Sequence, residues 1–446
     1  LLLYHGCCAN GADSLLVFLA TIAFVIISHH EKSLIALFGV IVMIILSPSY
    51  TFVDAFRSVD WNVIVILLGM WMISGYLSKS GFPEYVVYLL SKRFRSYGPL
   101  VISIALLAGF ITMFVDNVLV ILLLGGLAAQ IAMASKRDPL LPVMIIGLSA
   151  NYMGTALLLG DLPPQMLHSI AGAEFLDFIW FRGAPSSLPL LAISFIATLA
   201  IFYPLWLRSP RDRGHSIGGT MMRPPDIERI SGWVSIAGFA IFMGLASIRP
   251  MLGVELGAIA ISVAIMIATI LETARLLGKQ RIPAFEEILR DLEWRVILFY
   301  IALFMLVGGL KAGGVIHEVS KMISGYIGEE LLLSYSIVYW LVAILSSVVE
   351  HDAIVLFMIK TLQELGTASG ADPWPHYWAT VWAGTLGSNA TIAGAPALYL
   401  ALVIAEKNRG KKASWREWMR ITVPFTITSL AILYIISLPI IPSYIE

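Results

Sequence analysis

The chain spells one pattern twice, at a constant spacing, inside apolar sequence. Residues 54–61 read DAFRSVDW and residues 287–294 read EILRDLEW, and each opens a hydrophobic stretch. Val115-Asp116-Asn117 is answered by Val349-Glu350-His351, and the run Gly154–Gly160 by Ser388–Gly394. The three pairs are offset by 233, 234 and 234 positions. Two copies of one unit must therefore share the fold, and each copy carries polar residues where its surroundings are apolar. Paired repeats with polar breaks at bilayer depth are the pattern of transporters that hold a solute between two halves.

Composition narrows the class. Of 446 residues, 59% are hydrophobic and 13% charged, against about 25% charged in soluble domains. This predicts an all-α polytopic membrane protein, surrounded by lipid. The formal net charge of zero gives no reason to expect a nucleic-acid partner. The two cysteines, Cys7 and Cys8, are adjacent and offer neither a disulfide framework nor a CxxC spacing. The pair has the chemistry to bind a soft metal, but reads as an inert tail. No cofactor is expected beyond a transported ion.

Apolar runs of membrane length fall near 14–28, 33–48, 61–78, 142–160, 184–206, 231–248, 252–271, 294–310, 377–404 and 421–441. The 14–28 run has neither a basic leader nor a small-residue cleavage site, so it reads as a first span. Residues 99–135 and 331–363 are too long for one crossing, since 37 helical residues would run about 55 Å. Each has its acidic motif near the middle, which predicts a re-entrant hairpin with that motif at the tip. With the N-terminus outside, the segments assigned to the cytoplasm hold 22 of the 29 Lys and Arg residues, and those assigned outside hold 5. This asymmetry obeys the positive-inside rule. It places both termini outside and turns the second repeat upside down relative to the first. The predicted units are a first repeat over 1–206, a polar cytoplasmic linker over 207–230, and a second repeat over 231–446.

The candidate site follows from the cost of polar groups in lipid. A charged side chain at mid-bilayer costs about 2.5–3.5 kcal/mol on insertion scales, so Asp116, with Asn117 beside it, is a candidate ligand. Glu350, His351 and Asp352 are three consecutive ionisable residues in an apolar run, a proton relay or cation site by the same logic. Asn151, Gly154, Thr155 and Asp161, with Pro163 and Pro164, interrupt one span. Ser388, Asn389 and Thr391, among Gly384, Gly387, Gly394 and Pro396, interrupt its counterpart. Glycine permits unwinding and proline removes a helical hydrogen bond, which frees carbonyls and helix ends to hold an ion. Asp116, Glu350 and Asp352 are the carboxylates expected to ligate a sodium ion.

At FVDNVLV (114–120), MGTALLLGDLPPQML (153–167), LFMLVGGLKAGGV (303–315) and LGSNATIAGAPALYLALVIAEKNRGKKASWREW (386–418), the chain resembles the ion transporter superfamily. That group includes sodium/proton antiporters of the NhaD kind, arsenite permeases, the melanosomal P protein and, more distantly, citrate and dicarboxylate carriers. The resemblance implies a homodimer in the plasma membrane. It also implies an elevator mechanism, in which a mobile part carries hairpins and broken helices past a fixed scaffold. It places the hairpin-tip pairs at Asp116-Asn117 and Glu350-His351, and the broken-helix groups at Gly154-Thr155 and Ser388-Asn389. The chain departs from the superfamily pattern at Glu350-His351-Asp352, where an Asp-Asn pair is usual, and at Gln165, where Asn is usual.

The expected function is proton-coupled ion efflux by antiport, with sodium as substrate if carboxylates bind cation and proton competitively, and arsenite permeation as the alternative. A carboxylate at the first tip opposes citrate and other anions. A channel and an intramembrane enzyme are weaker readings, because the polar residues fall on repeat-related breaks and no HExxH, GxSxG or paired aspartyl signature is present.

Overall fold

A computed structural model describes residues 2–28, 31–94, 96–207, 224–279, 281–324 and 330–445, with the backbone alone for residues 2–10. Most of the expected linker over 207–230 and the side chains of Cys7 and Cys8 lie outside the described residues.

The described residues are almost wholly helical. The first half contains α1 (Leu2–Ile27), α2 (Lys32–Leu46), α3 (Phe52–Ser58), α4 (Trp61–Lys79), α5 (Phe82–Arg93), α6 (Tyr97–Thr112), α7 (Asn117–Ala134), α8 (Leu140–Met153), α9 (Leu162–Ala171) and α10 (Ser187–Phe202). The second contains α11 (Arg229–Ser247), α12 (Arg249–Leu252), α13 (Leu256–Leu276), α14 (Phe285–Arg290), α15 (Trp294–Ala312), α16 (Val315–Ser324), α17 (Leu331–Val348), α18 (His351–Ser369), α19 (Trp374–Ser388), α20 (Pro396–Arg409) and α21 (Trp415–Ser437). From α3–α9 to α14–α20, every helix starts 233 or 234 residues after its counterpart. Among the described residues, eight helices are long and apolar enough to cross a membrane by length and composition, and large apolar side chains such as Phe24, Phe38 and Ile201 face outward. The protein is an all-α, integral, multi-pass membrane protein.

Both long apolar stretches are helix–break–helix hairpins, α6–α7 and α17–α18, with the acidic motif in the break. Local chemistry sets the first turn. Asp116 caps α7, its Oδ1 accepting the amides of Val118 (2.9 Å) and Leu119 (3.4 Å). Both expected broken helices are broken, and Gly154, Thr155, Gly160 and Asp161 fall in the first break and Asn389, Thr391 and Gly394 in the second, but the other expected residues do not. Asn151 lies within α8, and Gly384, Thr385, Gly387 and Ser388 lie within α19. The breaks run over 154–161 and 389–395. Pro163, Pro164 and Pro396 sit in the first turns of α9 and α20, where proline lacks only an amide that has no helical partner anyway. They start the second half of each broken helix rather than interrupting the first.

Two glycines let each break lie against its hairpin. A Cβ on Gly160 would stand 2.2 Å from the Thr112 carbonyl oxygen, and one on Gly394 would stand 2.2 Å from that of Ser346. Thr112 and Ser346 occupy equivalent places at the ends of α6 and α17, so one close approach is built twice.

The halves exchange partners. α7 packs on α20, and its counterpart α18 packs on α9; α4 packs on α13, and its counterpart α15 packs on α2. Such reciprocity is the logic of a two-fold interface, here within one chain. It sorts the helices into two groups. α6–α9 and α17–α20 surround the hairpin tips and breaks. α2, α3, α4, α13, α14 and α15 pack chiefly on one another.

Candidate functional site

The tips and breaks of both halves meet at the protein's centre. Asn117, first in α7, donates from Nδ2 to Asn151 Oδ1 (3.1 Å) and to Asp161 Oδ2 (3.3 Å). Asn151 passes the connection to the other half. Its Nδ2 faces Thr385 O (3.2 Å), Ser388 Oγ (3.1 Å) and Asn389 Oδ1 (3.1 Å). Thr155 and Thr385 join hydroxyls across the same boundary at 2.6 Å. All six of these amide and hydroxyl side chains are buried.

On the other flank, Asp161 caps α9 through Oδ1, which accepts the Leu162 amide (2.9 Å). Its Oδ2 stands 3.7 Å from His351 Nε2. His351 begins α18, and its backbone amide and Nδ1 both reach the Gly394 carbonyl at 3.1 Å. A carbonyl only accepts, so Nδ1 carries the proton. Nε2 therefore faces the two carboxylates, Asp161 and, at 3.4 Å, Asp352 Oδ1.

A cavity of about 410 Å³ opens onto this centre. Asp116, Asn117, Asn151, Asp161, Glu350, His351 and Asp352 all line it, so seven of the candidate residues border one space. The others serve differently. Thr155, Ser388 and Asn389 stand behind the lining, in the buried network. Gly154 gives Asp161 room, since a Cβ there would lie 3.1 Å from the Asp161 Cβ. Thr391 staples the second break, its hydroxyl donating to Ser347 O (2.5 Å) and accepting the amides of Ala393 and Gly394.

The three carboxylates expected to share a cation do not come together as a set. Glu350 is held by Lys32, Nζ to Oε2 at 3.1 Å, with its side chain only 4% exposed. Asp116 spends one oxygen on its helix cap. The described residues instead bring together Asp161, His351 and Asp352, whose ligand atoms all lie within 4.8 Å of one another. Sequence reasoning missed Lys32, Arg295, Tyr300 and Tyr399 on the cavity wall. Lys32 stands at the head of an apolar run, like any interfacial lysine, and nothing in the sequence says that α2 reaches the second hairpin tip.

Residues 22–384 match the CitMHS family, described as citrate transporters. The chain belongs to this family. As a CitMHS member it resembles an uncharacterized transporter of Mycobacterium tuberculosis, 26% identical across 93% of this chain and 95% of that one. It is also similar to the arsenical pump membrane protein of Yersinia enterocolitica, 24% identical over 84% of this chain and 86% of the relative. The P protein of Homo sapiens is 24% identical over 86% of this chain and 54% of its own length. The CitMHS chain described here is thus a membrane transporter of small ions or solutes; the family and the mycobacterial relative are named as transporters, and the Yersinia relative as a pump membrane protein.

Proposed function

We propose that this protein is a proton-coupled secondary transporter that moves a cation out of the cell by antiport. The observation that carries the reading is the cavity itself. It ends on both hairpin tips and runs against both broken helices, and it is lined by five carboxylates (Asp116, Asp161, Glu293, Glu350 and Asp352) against Lys32, Arg295 and His351. That excess of acid attracts a cation or a proton and repels bare citrate. Asp116 is the group proposed to exchange protons with the cavity, because its second oxygen is not needed for capping.

Elevator motion is proposed from the two groups of helices, the one around the tips and breaks moving against the other. The cavity borders Lys32 and Glu293, which come from segments read as cytoplasmic, so this form is taken as inward-open, with both termini outside.

The test uses proteoliposomes with an imposed pH gradient, to which sodium, lithium, arsenite and citrate are added separately. Sodium or lithium is expected to collapse the gradient, and Asp116→Asn to abolish the response while leaving the protein folded. Undiminished exchange in that variant would sink the assignment of Asp116. A second reading, arsenite permeation, is favoured by the uncharged network of Asn117, Asn151, Thr155, Thr385, Ser388 and Asn389, which suits neutral arsenous acid, and by the likeness to the arsenical pump membrane protein. A response to arsenite alone would select it.

A further inference from the structure

We propose that Asp161, His351 and Asp352 form a binding site for a first-row divalent transition-metal ion. This goes beyond the reading above by adding to the same cavity a class of cation other than sodium or lithium, and it relies on that reading for the ion's route in and out.

Three observations carry the inference. The first is spacing. His351 Nε2 stands 3.4 Å from Asp352 Oδ1 and 3.7 Å from Asp161 Oδ2. Neither contact forms a hydrogen bond, and both His351 Nε2 and Asp352 Oδ1 are buried without a hydrogen-bond partner. Such gaps match the edges of a tetrahedron around a metal. Bonds of about 2.1 Å put neighbouring tetrahedral ligands about 3.4 Å apart.

The second is the orientation of the imidazole. The Nδ1 proton is committed to the Gly394 carbonyl at 3.1 Å, which turns Nε2 into the gap between two carboxylates, where a metal would displace any proton it carries. A metal-ligating histidine is characteristically fixed through its other nitrogen in this way. Asp161 is fixed too, by the Leu162 amide on one oxygen and by Asn117 on the other.

The third is the donor set. One imidazole nitrogen with two carboxylates suits zinc, manganese, iron and their neighbours. Sodium, magnesium and calcium prefer oxygen alone. The three ligands come from three positions that move relative to one another only if a break and a hairpin tip separate. Asp161 ends the first break, whereas His351 and Asp352 begin α18. All three line the cavity, so water there can complete the coordination.

The experiment is a Co2+ titration of the full-length protein, purified in detergent and stripped with a chelator, read by visible absorption. The expected result is one Co2+ per chain, with d–d bands of low coordination number that Zn2+ abolishes and Na+ or Mg2+ does not. His351→Gln and Asp352→Asn should each weaken binding by more than the roughly 10–100-fold cost of losing an outer-shell partner. His317→Ala, which removes an exposed histidine paired with Glu364, should change nothing. His351→Cys guards against misfolding, because a thiolate in that place should restore binding with a new sulfur-to-cobalt charge-transfer band. Absence of Co2+ uptake by the unaltered protein, or bands indifferent to His351, would overturn the site. Co2+ binding without proton-coupled flux of any ion would keep the site and refute the transport reading. Sodium-driven proton flux without Co2+ binding would do the reverse.

Discussion

At the scale of single residues, the breaks depend on what is missing as much as on what is present. Gly160 has no side chain, and a Cβ there would press to 2.2 Å from the Thr112 carbonyl oxygen and 2.5 Å from that of Gly154. Both obstacles are backbone, so nothing flexible can yield. Gly160→Ala is therefore expected to lower the yield of folded protein and its melting temperature in detergent. Gly126→Ala, where no atom lies within 4 Å of the added carbon, is the matched control inside a helix. It should be neutral or stabilise by about 0.4–1 kcal/mol. Equal melting temperatures for the two variants would show that the close approach is not needed. The same tightness recurs where α8 and α19 meet their hairpins, with the glycine on opposite partners. In the first half Gly109 on α6 faces Met153, and in the second Gly387 on α19 faces Ala343. The copies keep the contact and differ in which side gives way.

At the scale of elements, the Lys32–Glu350 pair ties α2 to the tip of the second hairpin, the only described ion pair to join the two helix groups at a tip. Its lysine side chain is 19% exposed and its glutamate 4%, so removing one partner strands a charge. Lys32→Met should destabilise the protein by about 3–5 kcal/mol, the usual cost of breaking a buried pair. Lys32→Met with Glu350→Gln should recover most of that loss. Thermal unfolding in detergent reads both, and an additive double variant would mean that the two side chains do not interact.

These elements also show what was legible in the sequence. Asp116, Glu350, His351 and Asp352 stood out because each is costly in an apolar run, and periodic spacing of the two copies placed the hairpins and the breaks. The rest lies in contacts between remote segments. Asp161 and His351 are 190 positions apart in the chain, and only the reciprocal packing of α18 on α9 brings them together. Lys32 carried no signal for the same reason. The proline runs misled because a proline that starts a helix looks, in sequence, like one that ends it.

At the scale of the whole molecule, the repeat makes a prediction about the form not seen here. α15 supplies Val296 and Tyr300 to the cavity wall. The equivalent positions on α4, 233 residues earlier, are Val63 and Leu67, which are 0% and 4% exposed. If the halves exchange conformations during transport, those two residues must come to line a cavity on the opposite side. Val296→Cys should then react with a membrane-impermeant thiol reagent from the basic side, and Val63→Cys only from the other side and only while the protein turns over. Both cysteines should be placed in a background without Cys7 and Cys8. Labelling of Val63→Cys from the same side as Val296→Cys would refute the exchange.

The crossed packing of α7 on α20 and α18 on α9 has a further consequence for how the chain is made. Neither half closes its own surface: each leaves a helix bare until its neighbour has been synthesised. Covalent continuity should then be dispensable while co-residence is not. Two plasmids, one encoding residues 1–207 and the other 224–446, should complement each other in one cell and yield a complex that co-purifies, whereas either fragment alone should be cleared by membrane proteases. The polypeptide would then be, in physical terms, a heterodimer that happens to be tethered.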